Sequence, residues 1–233
     1  MDIPAPDEVD IWVVPLPGGD PAAERELLAV LPGPERRRAH GIRASGARTR
    51  FVLARAALRR ILGAYLGVAP ATVEIVLDEN GKPHLAGAPA PLAFSLSHTR
   101  GLAAIAVTTR AAVGIDVEAL DRRVDLATMR RALGDEELEP VLAEPPERRT
   151  AAFLRRWTMK EAHAKAVGTG IWTGSPGPPG AWAAQPFDPA DGFVGAVVAA
   201  DGPWVTRRRE WPGIIAAPRR PERSAGYEQG ANA

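Results

Sequence analysis

The amino-acid sequence predicts an α+β fold, and two kinds of pattern lead to that prediction. Apolar residues recur at helical spacing over residues 48–66 and again over about 147–167, so each stretch is expected to form one long amphipathic helix. Short runs of β-branched and other apolar residues, separated by turn residues, predict strands. These runs lie at residues 10–16, 73–77, 93–96, 102–108, 113–117 and 194–200.

A long helix and several strands occur in each half of the chain. We therefore expect two similar lobes, each a long helix packed on a small, mostly antiparallel sheet. The predicted N-terminal α+β lobe spans residues 1–112, and the predicted C-terminal α+β lobe spans residues 113–217. Within the second lobe, residues 173–189 are rich in glycine and proline and predict a surface loop. The polar residues 218–233 predict a flexible tail.

Shorter elements complete the prediction. Additional helices are expected over residues 22–31, from Pro34 onward, and over residues 125–142. Asp201 and Gly202 form a favourable hairpin turn. The strand at 194–200 is therefore expected to pair with residues 203–209 across that turn.

The composition is that of an ordinary globular protein, with 233 residues, 45% hydrophobic and 24% charged. No apolar run approaches the roughly 20 residues that span a bilayer. The N-terminus lacks the basic stretch and apolar core of a secretory signal, so we expect a soluble, cytoplasmic protein. The net charge of +1 does not supply the basic field of a nucleic-acid-binding protein.

Cysteine and lysine usage narrows the chemistry further. Because the chain has no cysteine, disulfides, thiolate metal sites and a thiol nucleophile are excluded. A bound metal would therefore need oxygen ligands. Only three of the 29 basic residues are lysines, namely Lys82, Lys160 and Lys165, and each lies in one of the motifs described next.

The strand predicted at 113–117 leads into a pair of carboxylates. Because side chains alternate along a strand, Gly114, Asp116 and Glu118 share one face. The two carboxylates leave the backbone about 7 Å apart and can converge on one ion, for which magnesium or manganese is suited. The missing side chain at Gly114 is expected to leave room for a ligand. Taken alone, the pattern fits a strand with a solvent-exposed face better than a metal site.

The second long helix carries an aromatic, an acidic and a basic residue on one face. Trp157, Glu161 and Lys165 follow one another at four-residue spacing and so share a helix face, while Lys160 lies about 100° around the axis. A carboxylate and an ammonium beside a large aromatic ring can form part of a ligand site. Taken alone, an ordinary Glu–Lys helix pair beside a core tryptophan explains these residues better.

A third group lies between the helices. The Asn80–Gly81 turn presents Lys82, and Ser97 and His98 end a predicted strand. These side chains can bind phosphate oxygens or begin a nucleophilic site. A Ser-His-Asp hydrolase is disfavoured because no Gly-x-Ser-x-Gly elbow surrounds either nearby serine. Taken alone, a turn lysine and a polar strand end are the simpler interpretation.

In this order, the motifs resemble those of the 4'-phosphopantetheinyl transferases of the surfactin-synthetase-activating (Sfp) type. They are Gly-Lys-Pro at 81–83, Phe-Ser-Leu-Ser-His at 94–98, Gly-Ile-Asp-Val-Glu at 114–118, and Trp-Thr-Met-Lys-Glu-Ala-His-Ala-Lys at 157–165. The likeness runs over about residues 35–170. It implies a monomer built as a pseudo-dimer of two similar lobes, with coenzyme A bound in the cleft between them.

The resemblance also implies roles for individual residues. Asp116 and Glu118 match the magnesium ligands of the family, and Glu161 matches a third acidic position that is either a further ligand or the catalytic base. The implied catalytic residues are Glu161 and Lys165. The implied coenzyme A contacts are Lys82 and Pro83 near the adenine and sugar, Ser97 and His98 on phosphate, Lys160 and Lys165 toward the pyrophosphate, and Arg36 and Arg50 on further phosphate oxygens.

The implied reaction transfers the 4'-phosphopantetheine of coenzyme A to a serine of an apo acyl or peptidyl carrier protein and releases adenosine 3',5'-bisphosphate. The implied metal is Mg²⁺, with Mn²⁺ as the alternative. The carrier would belong to polyketide, nonribosomal-peptide or fatty-acid synthesis. One alternative is a metal-dependent enzyme that cleaves a nucleotide or coenzyme A pyrophosphate with water. A second is a nucleic-acid-binding module that uses the arginines of residues 36–60. Neither nucleic acid nor membrane is an expected partner of the transferase.

Overall fold

The computed structural model describes residues 1–17, 21–87, 92–168, 182–200, 202–211 and 213. The helices are Pro21–Val30 (α1), Gly33–Gly41 (α2), Ser45–Leu66 (α3), Leu126–Ala132 (α4), Asp135–Ala143 (α5) and Pro146–Val167 (α6). The strands are Glu8–Pro15 (β1), Ile75–Leu77 (β2), Pro83–Leu85 (β3), Ala93–Thr99 (β4), Leu102–Thr108 (β5), Val113–Ala119 (β6), Trp182–Phe187 (β7), Phe193–Ala200 (β8) and Val205–Glu210 (β9). The predicted α+β class and both predicted long helices are confirmed.

The described strands form three sheets. A four-stranded sheet has the order β4-β5-β1-β9, a three-stranded sheet has the order β6-β8-β7, and β2 pairs with β3 in a separate hairpin. All pairings are antiparallel except that of β1 with β9. The two larger sheets pack through an apolar layer that includes Ile11, Ala104, Ile115 and Val197.

Each long helix covers the outer face of one sheet. Helix α3 packs on the four-stranded sheet through a core that includes Trp12, Leu58 and Ile105. Helix α6 packs on the three-stranded sheet, where its small residues Ala162 and Ala166 meet β8. The result is a layered order of helix, sheet, sheet and helix.

Among the described residues, none of the helices combines the length and the apolar character that a membrane span requires.

The predicted hairpin between residues 194–200 and 203–209 is wrong. Strand β9 lies parallel to β1 in the other sheet, with Arg207 opposite Asp10. Asp10 is fully buried, and its carboxylate accepts hydrogen bonds from Nε of Arg207 at 2.6 Å and Nε of Arg209 at 3.0 Å. A buried carboxylate requires such partners, and this requirement outweighs the local turn signal.

The predicted surface loop over residues 173–189 is wrong in part. Residues 182–187 form strand β7, which pairs with β8 and places Trp182 opposite Ala200. Proline and glycine dominate the composition of the segment and obscured the alternating Trp-Ala-Ala-Gln-Pro-Phe run at its end. Residues 173–181 and the predicted tail 218–233 lie outside the described residues.

Several arginines of α3 point into the protein rather than into solvent. Arg59 is only 3% exposed, and it donates hydrogen bonds to Glu35 on α2 and to the Val73 carbonyl. Arg55 pairs with the same glutamate, and Arg48 pairs with Glu24 on α1. Three arginines of the basic run therefore tie α3 to the helices that precede it.

Gly114 has a role different from the one expected. A Cβ atom at this position would lie 1.9 Å from the carbonyl oxygen of Ala162 and 2.5 Å from the amide nitrogen of Ala166. The expected room for a ligand is therefore filled by the backbone of α6. The glycine allows helix and strand to approach at a distance that no other residue permits.

We predict that Gly114→Ala destabilises the protein by about 3 kcal/mol, because the added methyl group must push α6 away from β6. Chemical denaturation measures the change in the free energy of unfolding. Gly41→Ala is the matched control, since a Cβ atom there contacts nothing within 4 Å. Equal stability of the two variants would contradict the close approach described above.

Candidate active site

Two adjoining cavities lie where β4, β6, α6 and the β2–β3 hairpin meet. The hairpin cavity, of about 300 Å³, is lined by Asn80, Gly81, Lys82, Pro83, Phe94, Ser95, Leu96, Glu161, Ala164, Lys165 and Gly168. The carboxylate cavity, of about 330 Å³, is lined by Leu96, Ser97, His98, Asp116, Val117, Glu118, Trp157, Glu161 and Lys165. Leu96, Glu161 and Lys165 belong to both, so one continuous cleft joins the predicted motifs.

Asp116 is the most buried of the acidic residues in this cleft, at 5% exposure. Its Oδ1 atom accepts hydrogen bonds from the Lys165 ammonium at 2.7 Å and from the Ser97 hydroxyl at 2.7 Å. The Oδ2 atom is buried and has no hydrogen-bond partner among the residues that the structure describes. One oxygen of this carboxylate is therefore held by two protein donors, while the other makes no hydrogen bond within that part of the chain.

Ser97 lies in the cleft, but its hydroxyl faces β6. Besides donating to Asp116, it accepts the backbone N–H of Val117 at 3.4 Å. Ser95, two residues earlier on the same strand, accepts the N–H of Ile115 at 3.1 Å. The two serines thus join the neighbouring edges of the two larger sheets. Sequence analysis missed Ser95, although its i, i+2 spacing from Ser97 on a strand was a usable signal.

Glu118 and Glu161 complete a group of three carboxylates. Glu118 pairs with Arg122, a residue that sequence analysis missed although it follows at helix-like i, i+4 spacing. Burial raises the pKa of Glu118, and the charge of Asp116 adds to the effect. Burial also raises the pKa of Glu161 to about 7, with further contributions from the charges of Asp116 and Glu118. Lys165 opposes this rise only in part.

The donor set suits a hard cation. Three carboxylates repel one another across the carboxylate cavity, and one buried oxygen of Asp116 has no partner within the described ranges of the chain. A divalent cation would relieve both features, and carboxylate oxygens are its preferred ligands. In the conformation described, Asp116 and Glu118 face Lys165 and Arg122. Within the described part of the chain, no three acidic or histidine side chains are arranged to hold a metal ion.

The structure brings most of the predicted coenzyme A contacts to the cleft. Lys82 and Pro83 line the hairpin cavity, and Lys82 Nζ donates to the carbonyl oxygen of Ala166 at 2.6 Å. His98 lines the carboxylate cavity, where partial desolvation and the positive charges of Lys165 and Arg50 lower its pKa. Arg50 is therefore close enough to act on the same part of the cleft.

Two of the predicted contacts lie elsewhere. Lys160 forms an ion pair with Glu137 on α5 at 2.6 Å and lines neither cavity. Arg36 is exposed on α2 and also lines neither cavity. By contrast, the predicted stripe of Trp157, Glu161 and Lys165 lines the carboxylate cavity together.

Comparison with known proteins identifies the family. The profile of the 4'-phosphopantetheinyl transferase superfamily matches residues 112–177. The 4'-phosphopantetheinyl transferase HetI of Nostoc sp. is 39% identical over 169 residues, which cover 71% of this chain and 70% of the relative. This chain belongs to the 4'-phosphopantetheinyl transferase superfamily.

Other relatives of this phosphopantetheinyl transferase match over shorter regions. The 4'-phosphopantetheinyl transferase psf-1 of Bacillus pumilus is 33% identical over 122 residues, which cover 52% of this chain and 51% of the relative. AcpT of Salmonella typhi is 40% identical over 103 residues, which cover 42% of this chain and 52% of the relative. The predicted transfer of phosphopantetheine from coenzyme A to a carrier protein is confirmed at the level of the family.

We predict that the metal-free protein loses stability as the pH rises through the pKa of Glu161. The pKa of this group is about 7 in the folded state and about 4.5 when unfolded. The folded state thus binds the proton more tightly than the unfolded state does. The stability that this proton contributes is fully present below pH 4.5 and is lost as the pH rises through 7. At about 1.4 kcal/mol per pKa unit, the upper bound on the loss is about 3.5 kcal/mol, and solvent screening of this partly buried group makes the loss smaller.

Chemical denaturation in the presence of a chelator, at intervals from pH 4.5 to 8, measures this loss. Glu161→Gln should flatten the profile relative to the wild type. Glu139→Gln is the control, because Glu139 is exposed on α5 and should leave the profile unchanged. A profile for Glu161→Gln that coincides with the wild type would rule out the raised pKa.

Proposed function

We propose that this phosphopantetheinyl transferase acts with Mg²⁺, held by Asp116 and Glu118, and modifies a serine of an acyl or peptidyl carrier protein. The observation that carries the metal assignment is the buried, unpartnered Oδ2 atom of Asp116 within a group of three carboxylates. When bound, the cation would neutralise charge on the pyrophosphate oxygens of coenzyme A.

The protein's own residues supply the remaining steps. The serine oxygen of the carrier attacks the β-phosphorus of coenzyme A, and the bond from that phosphorus to the bridging oxygen breaks. Adenosine 3',5'-bisphosphate leaves with the bond electrons. Lys165, which lines both cavities, offsets the negative charge that develops on the leaving oxygen.

Glu161 is the proposed acceptor of the serine proton. Its raised pKa of about 7 matches the requirement for a base near neutral pH. It lines both cavities and therefore lies between the carboxylates and the hairpin. The alternative role implied by the resemblance, a third metal ligand, would lower the pKa of this group, so the pH dependence with bound metal separates the two roles.

The hairpin cavity is the proposed place for the adenine and sugar of coenzyme A. Its wall is largely apolar, with Pro83, Phe94 and Leu96, and Lys82 lies at its edge. His98 and Arg50 would hold phosphate oxygens on the carboxylate side. Ser97, Arg36 and Lys160 are further proposed phosphate contacts. Ser97 lines the carboxylate cavity, whereas Arg36 and Lys160 line neither cavity.

The proposed arrangement of the chain is a monomer with two similar lobes, residues 1–112 and 113–217, and the cleft between them. The layered order of helix, sheet, sheet and helix supports this division. Strand β9 departs from it, since it extends the sheet of the first lobe. The proposed acceptors are carrier proteins of polyketide, nonribosomal-peptide or fatty-acid synthesis.

We predict that an apo carrier protein gains one phosphopantetheine when it is incubated with this protein, coenzyme A and Mg²⁺. Intact-mass spectrometry measures the gain. Removal of the acceptor serine or addition of a chelator should abolish it. Transfer that persists with a chelator would contradict the metal assignment, and cleavage of coenzyme A without any acceptor would indicate a pyrophosphatase.

We predict that Asp116→Asn lowers kcat by roughly 100-fold or more, because the amide keeps the shape of the side chain and loses the charge that faces Lys165 and the cation. Steady-state assays of holo-carrier formation measure the change. The matched control is Asp188→Asn, since Asp188 is an exposed carboxylate that pairs with Arg155 and lines neither cavity. A variant at Asp116 as active as the control would exclude the proposed ligand.

A further inference from the structure

All three lysines of the chain attach helix α6 to a neighbouring element. Lys165 pairs with Asp116 on β6, and Lys160 pairs with Glu137 on α5. Lys82 approaches from the β2–β3 hairpin and donates to the carbonyl oxygen of Ala166 in the last turn of α6. The hairpin contact differs from the other two because it joins an ammonium to a single backbone oxygen.

The Lys82 contact supplies a hydrogen-bond donor to a carbonyl group in the last turn of α6. The last four carbonyl groups of an α-helix have no partner within the helix, and positive charge is favourable near that end. Gly168 ends α6 in a left-handed conformation with φ of 82°, and a Cβ atom there would lie 3.3 Å from Cδ of Lys82. The lysine stem therefore packs against the end of the helix while its ammonium reaches the Ala166 carbonyl.

The hairpin turn holds Lys82 in place for this contact. Oδ1 of Asp78 accepts the backbone N–H groups of Asn80 and Lys82, both at 2.9 Å. The backbone N–H of Asp78 donates to the Lys82 carbonyl at 3.0 Å, which closes the turn. Gly81 supplies the required positive φ of 83°. Burial lowers the pKa of Lys82, and the charge of Asp78 opposes that effect.

We propose that Lys82 is a positioning residue, which clamps the β2–β3 hairpin to the C-terminal end of α6 and thereby fixes Glu161 and Lys165 in the cleft. Lys165 immediately precedes Ala166, and Glu161 lies five residues before it on the same helix. A shift of the clamped end would move both side chains relative to Asp116. The inference rests on the proposed roles of Glu161 and Lys165 in the transfer.

Hydrogen–deuterium exchange of the substrate-free protein tests the clamp, and steady-state kinetics tests its consequence. Lys82→Met keeps the stem that packs against Gly168 and removes the donor. Amides of the last turn of α6 and of the hairpin should exchange roughly tenfold faster, as expected for the loss of a hydrogen bond from a charged group. The value of kcat should fall by roughly tenfold, because the reacting groups lose their alignment. Lys82→Arg retains a charged donor, so its amide exchange rates and its kcat should both lie between those of Lys82→Met and the wild type.

Lys160→Met is the matched control for exchange. It removes another lysine contact of α6, so it should affect amides near α5 and leave the hairpin and the last turn of α6 unchanged. Unchanged exchange in Lys82→Met together with a raised KM for coenzyme A would overturn the clamp and indicate direct substrate contact only. Faster exchange with unchanged kcat would overturn the positioning role.

The same experiments separate this inference from the proposed mechanism. Exchange is measured without substrate, so it reports the clamp whatever the chemical roles of Glu161 and Lys165. If Glu161→Gln and Lys165→Arg retained wild-type kcat, the proposed mechanism would fail, and faster exchange in Lys82→Met would still show that the clamp exists.

Discussion

Helix α6 lies so close to strand β6 that only glycine fits at position 114. This approach places Glu161 and Lys165, which project from the helix, over Asp116 and Glu118, which project from the strand. The helix could not reach the same depth with any side chain between it and the sheet, so Glu161 would lie farther from the two carboxylates of β6. The backbone contact at Gly114 therefore determines the geometry of the cleft and, through it, the electrostatic character of the site.

The cleft carries negative charge that the protein compensates only in part. Asp116 has Lys165 and Glu118 has Arg122, while Glu161 has no hydrogen-bond partner among the described contacts and a pKa raised to about 7. Burial of charge in this way costs stability and is typical of sites that bind ligands or move protons. The arrangement is consistent with a transferase that neutralises a pyrophosphate and accepts a proton from a serine hydroxyl in the same cleft.

Short polar contacts across element edges hold this geometry. Ser95 and Ser97 accept the N–H groups of Ile115 and Val117, which have no strand partner on that side, and so bind the edge of one sheet to the edge of the other. On the hairpin side of the cleft, Lys82 binds the hairpin to α6. Both contacts join segments distant in sequence. The cleft is therefore defined by contacts among four elements, none of which forms it alone.

Local patterns were sufficient to predict α3, α6, β5 and β6. The helical spacing of apolar residues records the buried face of each long helix, and short apolar runs mark the two strands, which are buried on both faces. The ordered motifs likewise identified the family and most residues of the cleft. Tertiary structure alone decided that β9 joins β1 and that Gly114 makes room for α6. Both depend on partners far along the chain, a buried Asp10 and the backbone of α6, and a local sequence pattern contains no information about such partners. The sequence thus determined the elements and the chemistry they carry, and long-range packing determined how they meet.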